Sequence, residues 1–345
     1  MEANREKIVV YGLGEFWHQH REELEKEYDI VQYCDKTAKI EGLSICRSID
    51  DINKNLKIFI MISQIHILFE VINELTMAGV MPPNINFGIS RWGYSKLERI
   101  YVDDTYRMHI VCKNIDLIIN SEDEFYNAID TILLECYKYH INSDKSEVVF
   151  DVGMNIADST IFFSKMPKVK MVYGFEPFEK TYNSAIKNIE LNNIRNNVKV
   201  FNFGLSGSEL TKHLNYGDNM SCGQSTIDSI NEGNICQYEK WGLVKREELT
   251  SENVVLKRSA IVLAELIDKN PDCNYILKLD CEGEEYSIFE DLSESGIISR
   301  FSLILLEWHY KGGERLIELL KENGFSFVSC EKELSPALGL IYAWK

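Results

Sequence analysis

The chain has 345 residues, more than one ordinary domain needs, and its 45% hydrophobic, 11% aromatic and 26% charged composition belongs to proteins that bury a sizeable core. Its 37 Lys and Arg against 54 Asp and Glu give a net charge of −17, which repels a nucleic-acid backbone, and no basic patch offsets it. The longest apolar stretch, residues 58–72, is broken by Ser63, Gln64 and His66, so no membrane span is expected. The first seven residues lack the plan of a signal peptide, and nine cysteines without a C-x-x-C pair read as thiols in a reducing compartment, so the expectation is a soluble cytoplasmic protein.

In chain order, residues 7–11 predict a short strand, followed at once by Gly12-Leu13-Gly14 and a helix over 15–28. A strand over 29–34 ends in Asp35, another covers 58–62, a helix covers 67–77, and Pro82-Pro83 punctuates its end. Strand, glycine turn, helix, strand, acid is the order of half a Rossmann fold. The dinucleotide fingerprint G-x-G-x-x-G is incomplete, because Trp17 stands where close helix–sheet packing asks for the third glycine. Asp35 sits where a carboxylate would bind ribose, and equally where one would cap a turn, so NAD binding is not expected. His18 and His20 fall on different faces of the helix and are not read as metal ligands. Residues 99–111 alternate like a hairpin turning at Asp103-Asp104. Ser121-x-x-Glu124 is a capping box that opens a helix with Phe125, Ile129, Ile132, Leu133 and Cys136 on one face. The expected domains are a small Rossmann-like α/β unit at 1–92 and a second domain at 93–345, with 93–146 as its lead-in.

The second domain predicts strands at 148–152, 170–175, 198–201, 275–279, 301–306, 325–330 and 340–344, with helices near 156–165, 179–193, 284–295 and 313–323. The last two strands, joined by a short loop, can pair antiparallel. This is the plan of a class I methyltransferase, a doubly wound α/β sheet of seven strands with an antiparallel edge hairpin. Ligands bind such sheets at the carboxyl ends of the strands. At the first such end, Asp151, Gly153 and a helix start form the kind of loop that holds the methionine part of S-adenosylmethionine. Gly153 would let the backbone approach the ligand, and Asp158 would take the amino group. At the second end, Glu176 stands where a carboxylate accepts from both ribose hydroxyls.

Residues 148–310 resemble the FkbM family of S-adenosylmethionine-dependent methyltransferases. The resemblance is carried by residues 149–160 (VFDVGMNIADST), by Gly174-Phe-Glu176-Pro177, and by residues 277–286 (LKLDCEGEEY), similar to the family's K-x-D-x-E-G-x-E signature. Residues 305–309 (LLEWH) match a further family block. The resemblance implies S-adenosyl-L-methionine as cofactor, held by Asp151, Gly153, Asn155, Asp158, Ser159, Glu176, Pro177 and Asp280. It also implies methyl transfer to a hydroxyl of a saccharide or glycan precursor. The family usually has glycine at the position of Ala157, whose added methyl would crowd the ligand. Rival readings are N-methylation of an amine, such as an amino acid attached to a glycan, and a non-catalytic nucleotide-fold scaffold.

A hydroxyl acceptor needs a general base, or a metal to acidify it. Asp280 and Glu282 follow one strand; Glu307 and His309, two apart, lie on one side of the next. Crowded carboxylates raise one another's pKa, so Glu282 is expected as the base. His309, kept protonated by the same field, would position the acceptor, with Asp280 and Glu307 holding either it or a metal. Asp280 and Glu307 are the possible ligands should Mg²⁺ or Mn²⁺ take part, and no metal site is assigned. Glu284 and Glu285 read as first-turn acids favourable to a helix dipole, and Cys281 as a small buried residue. An insertion at 206–274 carries a Gly/Ser-rich stretch at 217–229 and the aromatic pair Tyr238 and Trp241, suited to stacking on sugars or simply solvated. The expected partner is a small-molecule or glycan acceptor, with no nucleic acid; self-association is left open.

Overall fold

The computed structural model describes residues 5–94, 96–217, 220–332 and 335–345. Residues 1–4, on which the signal-peptide reading draws, and 218–219 of the Gly/Ser-rich stretch lie outside the described residues. The chain divides into two compact units, Met1–Ile129 and Asp130–Lys345.

The first unit is built on a parallel five-stranded sheet in the order Ile45–Cys46, Tyr28–Cys34, Glu6–Tyr11, Lys57–Ile60, Ile85–Phe87. The two edge strands are two and three residues long, too short to show a period in the sequence. Helix Glu15–Glu27 buries Trp17 and Leu24, and helix Ile65–Met77 buries Ile65, Leu68, Val71, Ile72 and Leu75, the 3.6-residue spacing of a core-facing stripe. The division between units falls well after residue 92. Arg99–Val102, Met108–Cys112 and Ile115–Ile119 close an antiparallel three-stranded sheet, whose inward residues include Ile100, Ile110 and Leu117. Helix Glu122–Ala128 opens with Ser121 Oγ accepting the Glu124 N–H at 3.2 Å, then passes into a π-turn over Ile129–Leu133 instead of running on to Cys136.

The second unit holds β1 (Glu147–Val152), β2 (Val169–Phe175), β3 (Val198–Phe201), β4 (Asn274–Leu279), β5 (Leu303–His309), β6 (Ser326–Lys332) and β7 (Ser335–Trp344) in one sheet ordered β3-β2-β1-β4-β5-β7-β6. Neighbours among β1–β5 are parallel, and β7 runs antiparallel to both β5 and β6. Every residue of β1 is buried, as a central parallel strand requires. The helices are α1 (Asp158–Ser164), α2 (Glu179–Leu191), α3 (Asp228–Lys240), α4 (Ser259–Asp268), α5 (Glu285–Glu294) and α6 (Glu314–Glu322). Phe150, Phe175, Leu277, Phe289, Ile304 and Ile341 share the core. The strand order reverses at β1 and β4, so their carboxyl ends open the crevice where such sheets take ligands.

The insertion is folded rather than a solvated loop. Thr250–Arg258 lies between Gly204–Ser206, which it meets parallel, and Leu210–Tyr216, which it meets antiparallel. Tyr238 is buried with Met220, Ile235 and Val244 in a small core, while Trp241 is 61% exposed, so the two rings do not form a shared stacking platform.

Candidate active site

At the end of β1, the fully buried Asp151 turns inward. Its Oδ2 accepts from Ser159 Oγ (2.7 Å) and Thr160 Oγ1 (2.6 Å), and its Oδ1 lies 3.2 Å from Lys278 Nζ. Lys278, equally buried, donates to the Gly153 carbonyl at 2.7 Å and stands 3.6 Å from Asp280 Oδ2. Burial works against its charge, but Asp151, Asp280 and Asp158 hold its pKa above the ordinary lysine value. Asp151 and Ser159 therefore shape the loop from within. Gly153 has φ +76°, and a Cβ there would stand 1.8 Å from the Asp280 carbonyl oxygen. The glycine is required by packing between the ends of β1 and β4. Ala157 is also left-handed, at φ +71°, and fully buried at the N-cap of α1. Its departure from glycine loads the backbone, by about 1–2 kcal/mol for an L-residue in this region. Asp158 is buried, accepts from Thr131, and has its pKa raised first by burial.

Two groups at this end are open to a ligand. Glu176, buried just past β2, accepts the Phe178 N–H at 3.0 Å through Oε1, and its pKa is pushed up to about 8 by burial. Asn155, at φ +48°, donates from Nδ2 to Cys222 Sγ at 3.1 Å, while its buried Oδ1 has no protein partner. A buried acceptor without a donor costs about 1–3 kcal/mol, so a ligand carrying donors is favoured there. S-adenosylmethionine fits this set. Its ribose hydroxyls would be donors for Glu176, and its ammonium would be a donor for Asn155 Oδ1 and a counter-charge for Asp158. Pro177 contributes a carbonyl that accepts from Asn202 Nδ2 at 3.2 Å, a contact within the loop.

The ends of β4 and β5 bring Asp280, Glu282, Glu285 and His309 together. Asp280 Oδ2 accepts from Tyr137 at 3.0 Å, and its Oδ1 stands 3.8 Å from His309 Nε2. Glu282, at φ +53°, has Oε1 3.6 Å from His309 Nε2 and accepts from Tyr310 at 3.1 Å through Oε2. Burial pushes its pKa up to about 7, with Asp280 and Glu285 adding to the shift and His309 opposing it. Glu285 is not a simple first-turn acid. Fully buried, it accepts the Cys281 N–H (3.0 Å) and Gly283 N–H (2.8 Å), and pairs with His309 Nδ1 at 2.8 Å. Burial alone would lower the His309 pKa, but Glu282, Glu285 and Asp280 raise it to about 10, so the ring is an imidazolium at neutral pH. Glu284, likewise buried, accepts from Ser206 (2.8 Å) and from Thr226 of the insertion (3.0 Å). Ser225 donates to the Glu282 carbonyl at 2.6 Å, so the insertion is tied to both ends of this turn. Glu307 is half-buried and, with Asp280, raises the pKa of the buried Tyr137 phenol, whose first cause is burial itself. Burial likewise lifts the Cys281 thiol well above its usual value, an inert side chain. Among the described residues, no three His, Cys, Asp or Glu side chains are grouped to hold a metal ion.

Four residues of this site carry roles that the sequence reading did not assign. Lys278 and Glu285 stand inside the signature segment, and Tyr310 directly follows His309, so position marked all three. Tyr137, far from the motifs in sequence, was marked by nothing. The family model for the methyltransferase FkbM domain matches residues 151–327, spanning the ends of β1, β2, β4 and β5. No curated protein matches the chain. Among solved structures, a methyltransferase FkbM from Methylobacillus flagellatus is 11% identical with a TM-score of 0.39, over 99% of this chain and 90% of its own. A putative tRNA methyltransferase of Streptococcus pneumoniae, in complex with S-adenosyl-L-methionine, is 14% identical with a TM-score of 0.34, over 58% of this chain and 65% of its own. Because the matched segment is just over half the chain and contains the whole cluster from Asp151 to His309, the chain belongs to the FkbM methyltransferase family and is an S-adenosylmethionine-dependent methyltransferase.

Proposed function

We propose that the protein methylates a hydroxyl of a saccharide or glycan precursor, with Glu282 as general base, His309 as the cation that positions the acceptor, and Asp280 and Glu307 holding that acceptor. The bound cofactor supplies a methyl group on a sulfonium, and Glu176, Asn155 and Asp158 orient it. The observation that carries the reading is the Glu282 carboxylate. It accepts a hydroxyl hydrogen bond from Tyr310, and burial lifts its pKa to about 7, where a carboxylate becomes an effective proton acceptor at neutral pH. An alcohol needs such a base to lose its proton as the methyl arrives. Holding acceptor and methyl in line supplies much of the remaining rate.

The excess of carboxylates over His309 at the β4 and β5 ends also suits a cationic amine, and transfer to such a nitrogen is the alternative. Among the described residues no disulfide joins any of the nine cysteines, which supports a reducing, cytoplasmic location. The test is transfer of tritium from methyl-labelled S-adenosylmethionine to a panel of monosaccharides, nucleotide sugars and amino sugars, with Glu282→Gln as control. Methyl ether products are expected. Labelling confined to amino-sugar nitrogen would establish the amine alternative instead.

A further inference from the structure

Tyr310 directly follows β5 and is 41% exposed, while Glu282 and His309 lie deeper. Its hydroxyl has two acceptors for its one hydrogen, Glu282 Oε2 at 3.1 Å and Asn234 Oδ1 at 3.1 Å, of which the carboxylate is the stronger, and it accepts from Asn234 Nδ2, on α3, at 3.0 Å. The other Glu282 oxygen faces His309. The outward oxygen of the base thus holds an alcohol supplied by the chain itself. The backbone at Tyr310 is left-handed, φ +69°, a conformation uncommon for an aromatic residue and one that tends to persist at functional sites. The stretch from Tyr310 continues through Lys311 to Gly312 and Gly313, and Tyr286 anchors its base by donating to the His309 and Gly312 carbonyls at 3.0 and 2.8 Å.

We propose that Tyr310 occupies the seat of the acceptor hydroxyl and is itself methylated when no acceptor is present; this rests on Glu282 being the base. The phenol oxygen attacks the methyl carbon and its proton passes to Glu282 Oε2. The carbon–sulfur bond breaks with its electron pair remaining on sulfur, leaving S-adenosylhomocysteine. No further reactant is required. Burial and Glu282 hold the pKa of this phenol well above its ordinary value, so it needs a base as an alcohol does, and Glu282 is in place to take the proton as the methyl arrives. The methyl ether can no longer donate to Glu282, so the modification marks a protein that has turned over without substrate.

The full chain is incubated with methyl-tritiated S-adenosylmethionine and no acceptor, then digested and mapped by mass spectrometry. One added methylene is expected on the peptide bearing Tyr310. It should be absent from Tyr310→Phe, whose melting shift with S-adenosylhomocysteine should match the wild type. Without cofactor, Tyr310→Ala empties the seat, and p-cresol, the detached side chain, should bind this variant and not the wild type in saturation-transfer NMR. A wild type that stays unlabelled at Tyr310 while S-adenosylhomocysteine still shifts its melting overturns the proposal and leaves the saccharide reading standing. Failure of p-cresol to bind Tyr310→Ala also overturns it. Label that persists undiminished in Glu282→Gln keeps Tyr310 as an acceptor and overturns instead the assignment of Glu282 as base.

Discussion

Glu285 Oε1 lies 2.8 Å from His309 Nδ1, and the same carboxylate accepts the backbone N–H groups of Cys281 and Gly283. One buried side chain therefore fixes both the turn that carries Glu282 and the ring that faces it. The pairing leaves His309 Nε2 directed at Glu282 and Asp280, and holds the ring in its charged form.

Removing this carboxylate leaves an imidazolium buried and two amides unsatisfied, so Glu285→Ala should lose about 3–5 kcal/mol of stability. The pH dependence has a definite sign. The folded-state pKa of His309, about 10, lies above its ordinary value near 6.5, so its contribution is complete below pH ~6.5 and is lost as pH rises through about 10. Urea denaturation at pH 6.5, 8 and 10 should show wild-type stability falling, with a smaller fall in His309→Asn. Equal slopes in the two proteins would refute the linkage.

Cofactor binding carries its own pH signature through Glu176. Burial pushes this carboxylate up to about 8, and accepting from two ribose hydroxyls, as proposed, would favour its ionised form. Apparent affinity scales with the ionised fraction, so S-adenosylhomocysteine should bind roughly fifteen-fold more weakly at pH 6.5 than at pH 8. Calorimetric titration should show that slope in the wild type and lose it in Glu176→Gln. At about 100 times its Kd the ligand adds roughly 2.7 kcal/mol of stability, and Glu176→Ala should abolish the corresponding melting shift. An unchanged affinity in the alanine variant would remove Glu176 from the cofactor site.

The strands that position the site were legible because β1, β2 and β4 are buried apolar runs, each ending in or followed by a polar residue that stands out: Asp151, Glu176 and Asp280. The insertion sheet was not. In Leu210–Tyr216 and Thr250–Arg258 only Leu214, Tyr216, Val254 and Leu256 are buried, and the exposed apolar Val255 between the last two breaks an alternation that is only two positions long in each strand. Neighbouring Glu284 and Glu285 look equivalent as letters. Glu284 meets Ser206 and Thr226, while Glu285 meets a histidine 24 residues onward, and only the register of β4 against β5 decides which carboxylate faces which partner. Asp151 was legible as an acid at a strand end, but its turn toward Ser159, Thr160 and Lys278 depends on packing that spacing does not reveal.

In the first unit, the Asp35 carboxylate is already taken. Its Oδ2 accepts the Leu13 N–H from the glycine turn at 2.8 Å, and its Oδ1 accepts the N–H groups of Thr37 (2.8 Å) and Ala38 (2.7 Å). Although burial acts to raise its pKa, these amides hold it below the usual carboxylate value. A loop amide that a pyrophosphate would need is thereby satisfied internally, and Trp17 fills the space a third glycine would leave. NAD and NADP should give no measurable heat of binding, and Asp35→Ala should cost about 1 kcal/mol, because it removes the acceptor of three turn amides of which that of exposed Thr37 can turn to water. Micromolar binding of either dinucleotide, lost in Gly14→Val, would show the opposite.

The division of labour between Glu282 and His309 follows from their protonation at pH 7. With its pKa at about 10, His309 is almost entirely protonated and has no lone pair to offer, whereas Glu282, at about 7, is ionised in roughly half the molecules. Glu282→Gln keeps the shape and removes the acceptor of the proton, so kcat should fall by about 10²–10⁴-fold with S-adenosylhomocysteine affinity nearly unchanged. His309→Asn should act mainly on the acceptor KM, and it should also move the pH profile. The imidazolium is one of the groups that lowers the Glu282 pKa, so its loss should shift the acid limb of kcat to higher pH. The wild-type profile of kcat should rise through about pH 7 as Glu282 ionises, and the acceptor KM should rise as His309 loses its proton near pH 10. If His309→Asn proves the dead variant while Glu282→Gln keeps turning over, the histidine is the base and the carboxylate only holds it.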